Sequence, residues 1–146
     1  MAQVVQEAEQ VALLFPKVET LQLPRDINPT PDELAAITKA WPKLKRLEVN
    51  SRNFNDTACE GMLQISSLEE LDIMYSPITD AGISKLATLK KLFWLNLNEA
   101  KITDAALETL ASMKALKKIK LPKPGNGITA DGLAKFKKKR PDVTVE

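Results

Sequence analysis

The apolar residues of this chain recur in one pattern that repeats every 24 residues. In the copy that begins at Leu68, Leu71 and Ile73 are two positions apart, the spacing of a strand with one buried face. After a break at Ser76-Pro77, apolar residues follow at every third position, which predicts a helix with one buried face. A fixed period of this length predicts one strand–turn–helix unit stacked on copies of itself.

Stacked units would place their strands side by side in a parallel sheet, with the helices packed behind it. We predict one domain with a capping helix over residues 1–17, repeats over 18–43, 44–67, 68–91, 92–115 and 116–142, and a terminal strand over 143–146. The capping helix is indicated by an apolar stripe at Val4, Ala8, Val11 and Phe15.

Two residues could cap the helix of the unit that begins at Leu68. Thr79 and Asp80 each carry a side-chain oxygen that can accept from an unpaired backbone N–H of the first turn. The carboxylate of Asp80 also suits the positive end of the helix dipole. The sequence leaves this choice open.

The repeated phrase resembles a known family of repeats. Leu-x-x-Leu-x-Leu followed by Ile-Thr-Asp-x-Gly/Ala-Leu/Ile, as in Ile78–Ile83 and Ile102–Leu107, is similar to leucine-rich repeats of the ribonuclease-inhibitor-like and F-box-associated type, with bacterial multi-repeat proteins the nearest kind. The resemblance implies an α/β fold: a right-handed solenoid that binds proteins, with a parallel β-sheet on its concave side and helices on its convex side. The asparagine that many such repeats place after the strand is Asn53 in one unit but Ser76 and Ala100 in the next two. We therefore expect a mixed or partly missing side-chain ladder beneath the strands.

Between the buried leucines, the strand residues point away from the core and form columns across the sheet. The candidate protein-binding residues are Arg46, Glu48, Glu70, Asp72, Met74, Tyr75, Trp94, Asn96, Asn98, Lys118 and Lys120. Trp94, Met74 and Tyr75 are expected to lie together as an exposed apolar group, and tryptophan and tyrosine are enriched at binding hot spots. The alternative is that Trp94 packs flat on its neighbours or shares an edge pocket with Phe93.

Charge divides the same face into an acidic patch at Glu48, Glu70 and Asp72 and a basic patch at Lys118 and Lys120. Five short strands offer on the order of 300 Å², whereas a standard interface uses about 800 Å² of each partner. A folded partner would therefore also contact a flank or the turns. Otherwise the partner is a short peptide, or the chain is a fragment of a longer array. The turns concerned are Arg25–Pro29, Ser51–Asn53 and Pro122–Gly127.

Other chemistry finds little support. The chain has no histidine, which removes the commonest general base and metal ligand, and Cys59 falls on a buried helix position. The acidic patch lacks the loop carbonyls of calcium sites. We therefore expect no enzyme activity, no cofactor and no metal.

The C-terminal part is basic, and nucleic acid is the alternative partner. Residues 114–146 carry 10 basic and 3 acidic residues, against 11 and 16 in residues 1–113. The nearby ring of Phe136 falls on a helix stripe, so stacking aromatics of the kind that bind single strands are missing. We also expect no membrane span and a cytoplasmic location, because the chain has no long apolar stretch, no secretion signal and a single cysteine.

Overall fold

The computed structural model describes residues 10–24, 27 and 29–146. Its strands are β1 (Thr20–Leu23), β2 (Arg46–Val49), β3 (Glu70–Asp72), β4 (Trp94–Asn96), β5 (Lys118–Lys120) and β6 (Thr144–Val145). Its helices are α1 (Pro31–Ala40), α2 (Cys59–Met62), α3 (Asp80–Leu86), α4 (Asp104–Ser112) and α5 (Ala130–Lys139), and residues 10–14 are also helical. The strands form one parallel sheet in chain order, which confirms the predicted alternation of parallel strands and helices.

The repeat itself sets the strand register. Leu47 is aligned with Leu71, Leu71 with Leu95, and Leu95 with Ile119, and all four side chains are fully buried. A slip of one residue would turn every one of these side chains to the opposite face, so burial of the leucines holds the register. The residues that flank them, two positions apart on each strand, share the opposite face of the sheet.

The helices cover the inner face of the sheet. Each helix contacts the next one along the chain, and α3 and α4 turn Ile83, Leu86, Leu107 and Leu110 into the interior. These residues join the strand leucines in one continuous apolar cluster. No described helix has the length and apolar character needed to span a bilayer.

A ladder of threonine and aspartate links successive helix starts. Thr79 is the N-cap of α3, and its hydroxyl accepts from the backbone N–H of Ala81. Asp80 instead reaches the next unit, where it accepts from the backbone N–H and the hydroxyl of Thr103 at 2.8 and 2.6 Å. The same pairing, which we call the threonine–aspartate ladder, joins Asp56 to Thr79 and Asp104 to Thr129. Each aspartate thus fixes the capping threonine of the helix that follows its own.

The side-chain ladder beneath the strands is mixed. The buried hydroxyl of Ser76 lies within hydrogen-bond distance of the Val49 and Ser51 carbonyls. Ala100, one repeat later, is buried and apolar. Ser76 therefore links its unit to the preceding one by hydrogen bonds. At the equivalent place one repeat later, the Ala100 side chain makes only apolar contacts.

Helix α2 is shorter than its apolar stripe predicts: it ends at Met62, and Ile65, the last residue of the stripe, lies beyond it. Ala58 at the N-cap provides no side-chain cap, and the Asn55 amide oxygen accepts from the N–H groups of Thr57 and Ala58. Leu63 then bonds to the Glu60 carbonyl only three residues back. Local side-chain bonds of this kind compete with a regular helix.

The two ends of the sheet are covered differently. Near the start of the described chain, the Trp41 indole donates to the Phe15 carbonyl at 3.0 Å. At the other end, the Arg140 guanidinium donates to the Met113 and Leu116 carbonyls and pairs with Asp142. Of the residues that predicted the N-terminal capping helix and the first turn, Val4, Ala8, Arg25, Asp26 and Asn28 lie outside the described residues.

Candidate binding surface

We use the name outer face for a set of residues on the side of the sheet away from the helices, some within the strands and some up to three positions after a strand. It consists of Gln22, Arg46, Glu48, Asn50, Glu70, Asp72, Met74, Tyr75, Trp94, Asn96, Asn98, Lys118, Lys120 and Glu146. Strand register places Arg46, Glu70, Trp94 and Lys118 in one row across this face. Most members of the face are half-buried, because each is flanked by the side chains of two neighbouring strands.

An arginine holds the tryptophan of this row in place. The Arg46 guanidinium lies 2.6 Å from Glu70 Oε2, and its central carbon lies 5.5 Å from the centroid of the Trp94 ring. Arg46 therefore reaches across β3 and forms an ion pair and a cation–π contact at once. Trp94 is half-buried rather than fully exposed, which lies between the two arrangements that the sequence left open.

The apolar group expected around Trp94 is divided among different environments. Met74, two residues after β3, is half-buried, and Tyr75 keeps 38% of its surface exposed. Tyr75 has a backbone φ of 70°, and Glu99, at the same place one repeat later, has a φ of 73°. Side chains with a Cβ rarely adopt this left-handed conformation. The turn after each of these strands therefore holds an exposed side chain in a strained position.

Asn96 is a correction to the predicted face. The side chain was expected to be exposed, but only 3% of the residue surface is accessible. Its Oδ1 accepts from the backbone N–H of Asn98 at 3.1 Å, and Asp72 makes the same bond to Met74 in the preceding unit. With this bond made, the neutral amide of Asn96 can be buried, whereas the charged carboxylate of Asp72 stays half-buried because burial of a charge costs more. Asn96 therefore has a structural role in the turn that its place in the alternation did not reveal.

Glu48 belongs to a small amide network on the outer face. Its Oε1 accepts from Gln22 Nε2 at 3.0 Å and from Asn50 Nδ2 at 2.6 Å. Asn50 is only 7% exposed, and its buried Oδ1 has no hydrogen-bond partner among the residues that the structure describes. Buried acceptors without a partner are rare in folded proteins, because the lost hydration is not replaced.

The basic patch is partly neutralised from within. Lys118 and Lys120 lie 2.8 and 3.7 Å from the carboxylate oxygens of Glu146, which follows β6. The hydrogen bond from Lys118 is the main cause that lowers the pKa of Glu146. Glu146 could have been found from the sequence as the outer-face residue that follows the last strand, but which lysine it contacts depends on side-chain conformation.

The basic C-terminal part is also extensively paired. Lys117 and Arg140 both contact Asp142, and these two contacts lower the pKa of the Asp142 carboxyl. Lys135 pairs with Asp131 and Lys139 with Glu108. Arg140 is directed at backbone carbonyls rather than at solvent, so it closes the fold. The positive charge available to a polyanion is therefore smaller than the composition indicates.

The cysteine offers no reactive thiol. Cys59 is fully buried, and desolvation is the main cause that raises the pKa of its thiol to about 12. The thiolate, which is the nucleophile, is scarce at neutral pH in such an environment. In the part of the chain that the structure describes, no group of three metal-ligating side chains is present.

Two shallow clefts flank the turn after β5. One, of about 410 Å³, lies between Asn98–Thr103 and the turn residues Pro122, Lys123 and Gly127. The other, of about 520 Å³, lies between Lys120–Pro124 and Leu133 of α5. Both adjoin the outer face at Asn98, so the turn extends that face beyond the strands.

Comparison with known proteins agrees with this geometry. A family model described as a leucine-rich repeat matches residues 64–87. A structure titled leiomodin-1 actin-binding site 2 superposes with a TM-score of 0.60 at 13% identity, over 96% of this chain and 88% of that one. The fold is a leucine-rich-repeat solenoid. Among curated protein sequences, none matches the chain significantly.

Two bacterial structures share this leucine-rich-repeat fold. An internalin from Listeria monocytogenes, InlF, has a TM-score of 0.53 at 16% identity over 94% of this chain, which spans only 43% of that structure. Internalin C2 from the same organism has a TM-score of 0.50 at 17% identity, over 99% of this chain and 80% of that one. Identities this low establish the fold alone. The parallel sheet of such a solenoid lines its concave side, so the outer face is the concave face.

Proposed function

We propose that this solenoid is a non-catalytic scaffold that binds a protein or peptide on its outer face. The observation that carries the proposal is Trp94, a half-buried ring on the outer face that is contacted by Arg46, whose guanidinium is in turn paired with Glu70. A ring fixed before binding loses little conformational freedom when a partner covers it. The proposed contacts are Arg46, Glu48, Glu70, Asp72, Met74, Tyr75, Trp94, Asn98, Lys118 and Lys120.

The fold relatives support protein binding only in general terms. The leiomodin-1 structure is titled as an actin-binding site, and the likeness is one of fold at 13% identity. Actin is therefore not proposed as the partner of this chain. The ribonuclease-inhibitor-like subtype, the cytoplasmic location and the division into repeats stay predictions from the sequence.

Nucleic acid remains the weaker alternative. Lys114, Lys123, Lys137 and Lys138 have no carboxylate partner among the described residues, and they are exposed. No described aromatic side chain lies among them for base stacking. Binding to random-sequence DNA and RNA across a salt series tests this alternative, since phosphate contacts give a steep fall in affinity with salt.

The test of the proposal is a pull-down with the wild type, Trp94→Ala and Phe93→Ala. Phe93 is the matched control, because it is an exposed aromatic neighbour that lies outside the outer face. Removal of a hot-spot ring weakens a partner by about 2 kcal/mol or more. We expect proteins that are captured by the wild type and Phe93→Ala and lost with Trp94→Ala, with similar circular dichroism for all three. Equal capture by all three proteins would contradict the proposal.

A further inference from the structure

The charges of the outer face are unequally paired. Arg46 is paired with Glu70, and both Lys118 and Lys120 contact Glu146. Glu48 and Asp72 contact no cationic side chain among the described residues. Within the described part of the chain, each outer-face cation thus has a carboxylate partner, whereas two outer-face carboxylates have no cationic partner.

The two carboxylates without a cation are neighbours. Strand register aligns Glu48 on β2 with Asp72 on β3, so their side chains leave the same face of adjacent strands. Adjacent strands are about 4.8 Å apart, and like charges directly opposite each other destabilise a sheet. Arg46 cannot relieve this pair where it lies, because it is directed along the neighbouring row toward Trp94.

Each of these carboxylates retains an oxygen without a hydrogen bond in the described structure. Glu48 uses Oε1 to accept from Gln22 and Asn50, and Asp72 uses Oδ1 to accept from the Met74 N–H. Glu48 Oε2 and Asp72 Oδ2 are the oxygens that remain. Two free carboxylate oxygens on adjacent strands are suited to a cation with several N–H donors.

Asn50 gives a second, independent sign of a missing donor at the same place. It is more than nine-tenths buried, its Nδ2 is bound to Glu48, and its Oδ1 has no partner in the described part of the molecule. A carbonyl oxygen in this position needs an N–H or O–H donor. Asn50 follows β2 directly, so the unpartnered acceptor and the two carboxylates belong to one small part of the outer face.

We propose that Glu48 and Asp72 receive a lysine or arginine side chain from an extended peptide segment of the partner, with Met74 and Trp94 contacting the apolar residues beside it. Asn50 Oδ1 is buried, and it becomes a further acceptor when the Asn50 side chain rotates toward the bound cation. This inference rests on the proposed function, because it names the chemistry of the partner at the same face. Charge complementarity is the argument: a donor-only cation supplies what all three acceptors lack.

The experiment selects random displayed peptides against three forms of the chain: the wild type, the double variant Glu48→Gln/Asp72→Asn, and the double variant Lys118→Gln/Lys120→Gln. The first double variant keeps the hydrogen-bond acceptors. Asn96 already closes the corresponding turn with an amide, so Asp72→Asn preserves the turn at Asp72. The second is the matched control, because it removes two charges from the same face. Similar circular dichroism spectra and a cooperative thermal transition for each of the three proteins establish that the variants are folded.

We expect wild-type peptides enriched in lysine and arginine, with the enrichment lost in Glu48→Gln/Asp72→Asn and kept in Lys118→Gln/Lys120→Gln. A selected peptide should bind the first double variant about tenfold more weakly than the wild type, with less difference at high salt. Selection of acidic peptides, no selection, or enrichment that survives in Glu48→Gln/Asp72→Asn would overturn the inference. So would stabilisation of the wild type alone by CaCl2, because the acceptors would then hold a metal ion.

The two proposals fail in different ways. If Trp94-dependent partners are captured in the pull-down but their binding is unchanged in Glu48→Gln/Asp72→Asn, only the cationic segment is wrong. If no Trp94-dependent partner is captured at all, the binding function of the outer face is wrong.

Discussion

The threonine–aspartate ladder and the outer face lie on the same repeats and follow opposite rules. In the ladder, the same two residue types make the same two bonds in three successive places, at Asp56, Asp80 and Asp104. On the outer face, one row of aligned positions contains Arg46, Glu70, Trp94 and Lys118. The ladder is the same at these three places, whereas the face differs in every unit.

The two regions also differ in how completely their polar groups are satisfied. Each ladder aspartate uses both carboxylate oxygens, one for a backbone N–H and one for a hydroxyl. Counting contacts among the described residues, the outer face has free carboxylate oxygens at Glu48 and Asp72 and an unpartnered amide oxygen at Asn50, and it has a left-handed backbone at Tyr75. Folding requires the repeated contacts, so unsatisfied or strained groups that folding does not require support the proposal that the outer face binds a partner.

The largest effect is expected from breaking the ladder. Asp80→Ala removes both acceptors of Thr103, the N-cap of α4, and should lower the free energy of unfolding by about 2 kcal/mol, because hydrogen bonds to a charged group and a helix cap are lost together. Urea denaturation measures this change. Asp131→Ala is the control, because Asp131 also lies in the first turn of a helix but pairs only with the exposed Lys135. Its effect should be no more than about 0.5 kcal/mol; equal losses would mean that the ladder has no special role.

The ladder also marks a limit of what the sequence could predict. The period of the leucines is enough to predict the strands, the helices, their order and the buried face, because burial of apolar side chains depends on spacing alone. The partner of Asp80 lies 23 residues away in the next unit, so spacing within one unit favoured a role in its own helix. Contacts between units are determined by how the units stack.

The outer face was predictable in outline and not in detail. Alternation along the strand correctly identified Arg46, Glu70 and Trp94 as residues that do not enter the core. It failed at Asn96, because a neutral amide that bonds to the Asn98 N–H can be buried, whereas the charged Asp72 with the same bond stays half-buried. It also predicted an acidic and a basic patch that were equally available to a partner. In the structure, Glu146 pairs with both lysines of the basic patch, which the sequence did not predict.

A smaller effect of opposite sign is expected on the outer face. Tyr75→Gly should raise the free energy of unfolding by about 0.5–1 kcal/mol relative to Tyr75→Ala, because glycine adopts a φ of 70° without strain whereas alanine does not. Urea denaturation of both variants isolates the backbone term, since both lack the ring. Both should bind a captured partner more weakly than the wild type. Equal stability of the glycine and alanine variants would show that the turn at Tyr75 stores no strain, which would weaken the contrast between the two regions.

The smallest effect concerns the acid side of the stability curve. Arg140 and Lys117 hold the pKa of Asp142 below its usual value, so the ionised carboxylate stabilises the folded chain. This contribution is fully present above the unfolded pKa of about 3.9 and is lost as the pH falls through the lower folded pKa. Asp142→Asn should therefore destabilise the chain at neutral pH and flatten the decline in acid. Hydrogen exchange at the Thr144 amide, which bonds to the Lys117 carbonyl beside β5, measures this locally. If the Thr144 protection of the mutant declines in acid as steeply as that of the wild type, the Asp142 ion pairs do not stabilise this end of the sheet. Backbone pairing alone would then hold β6 against β5.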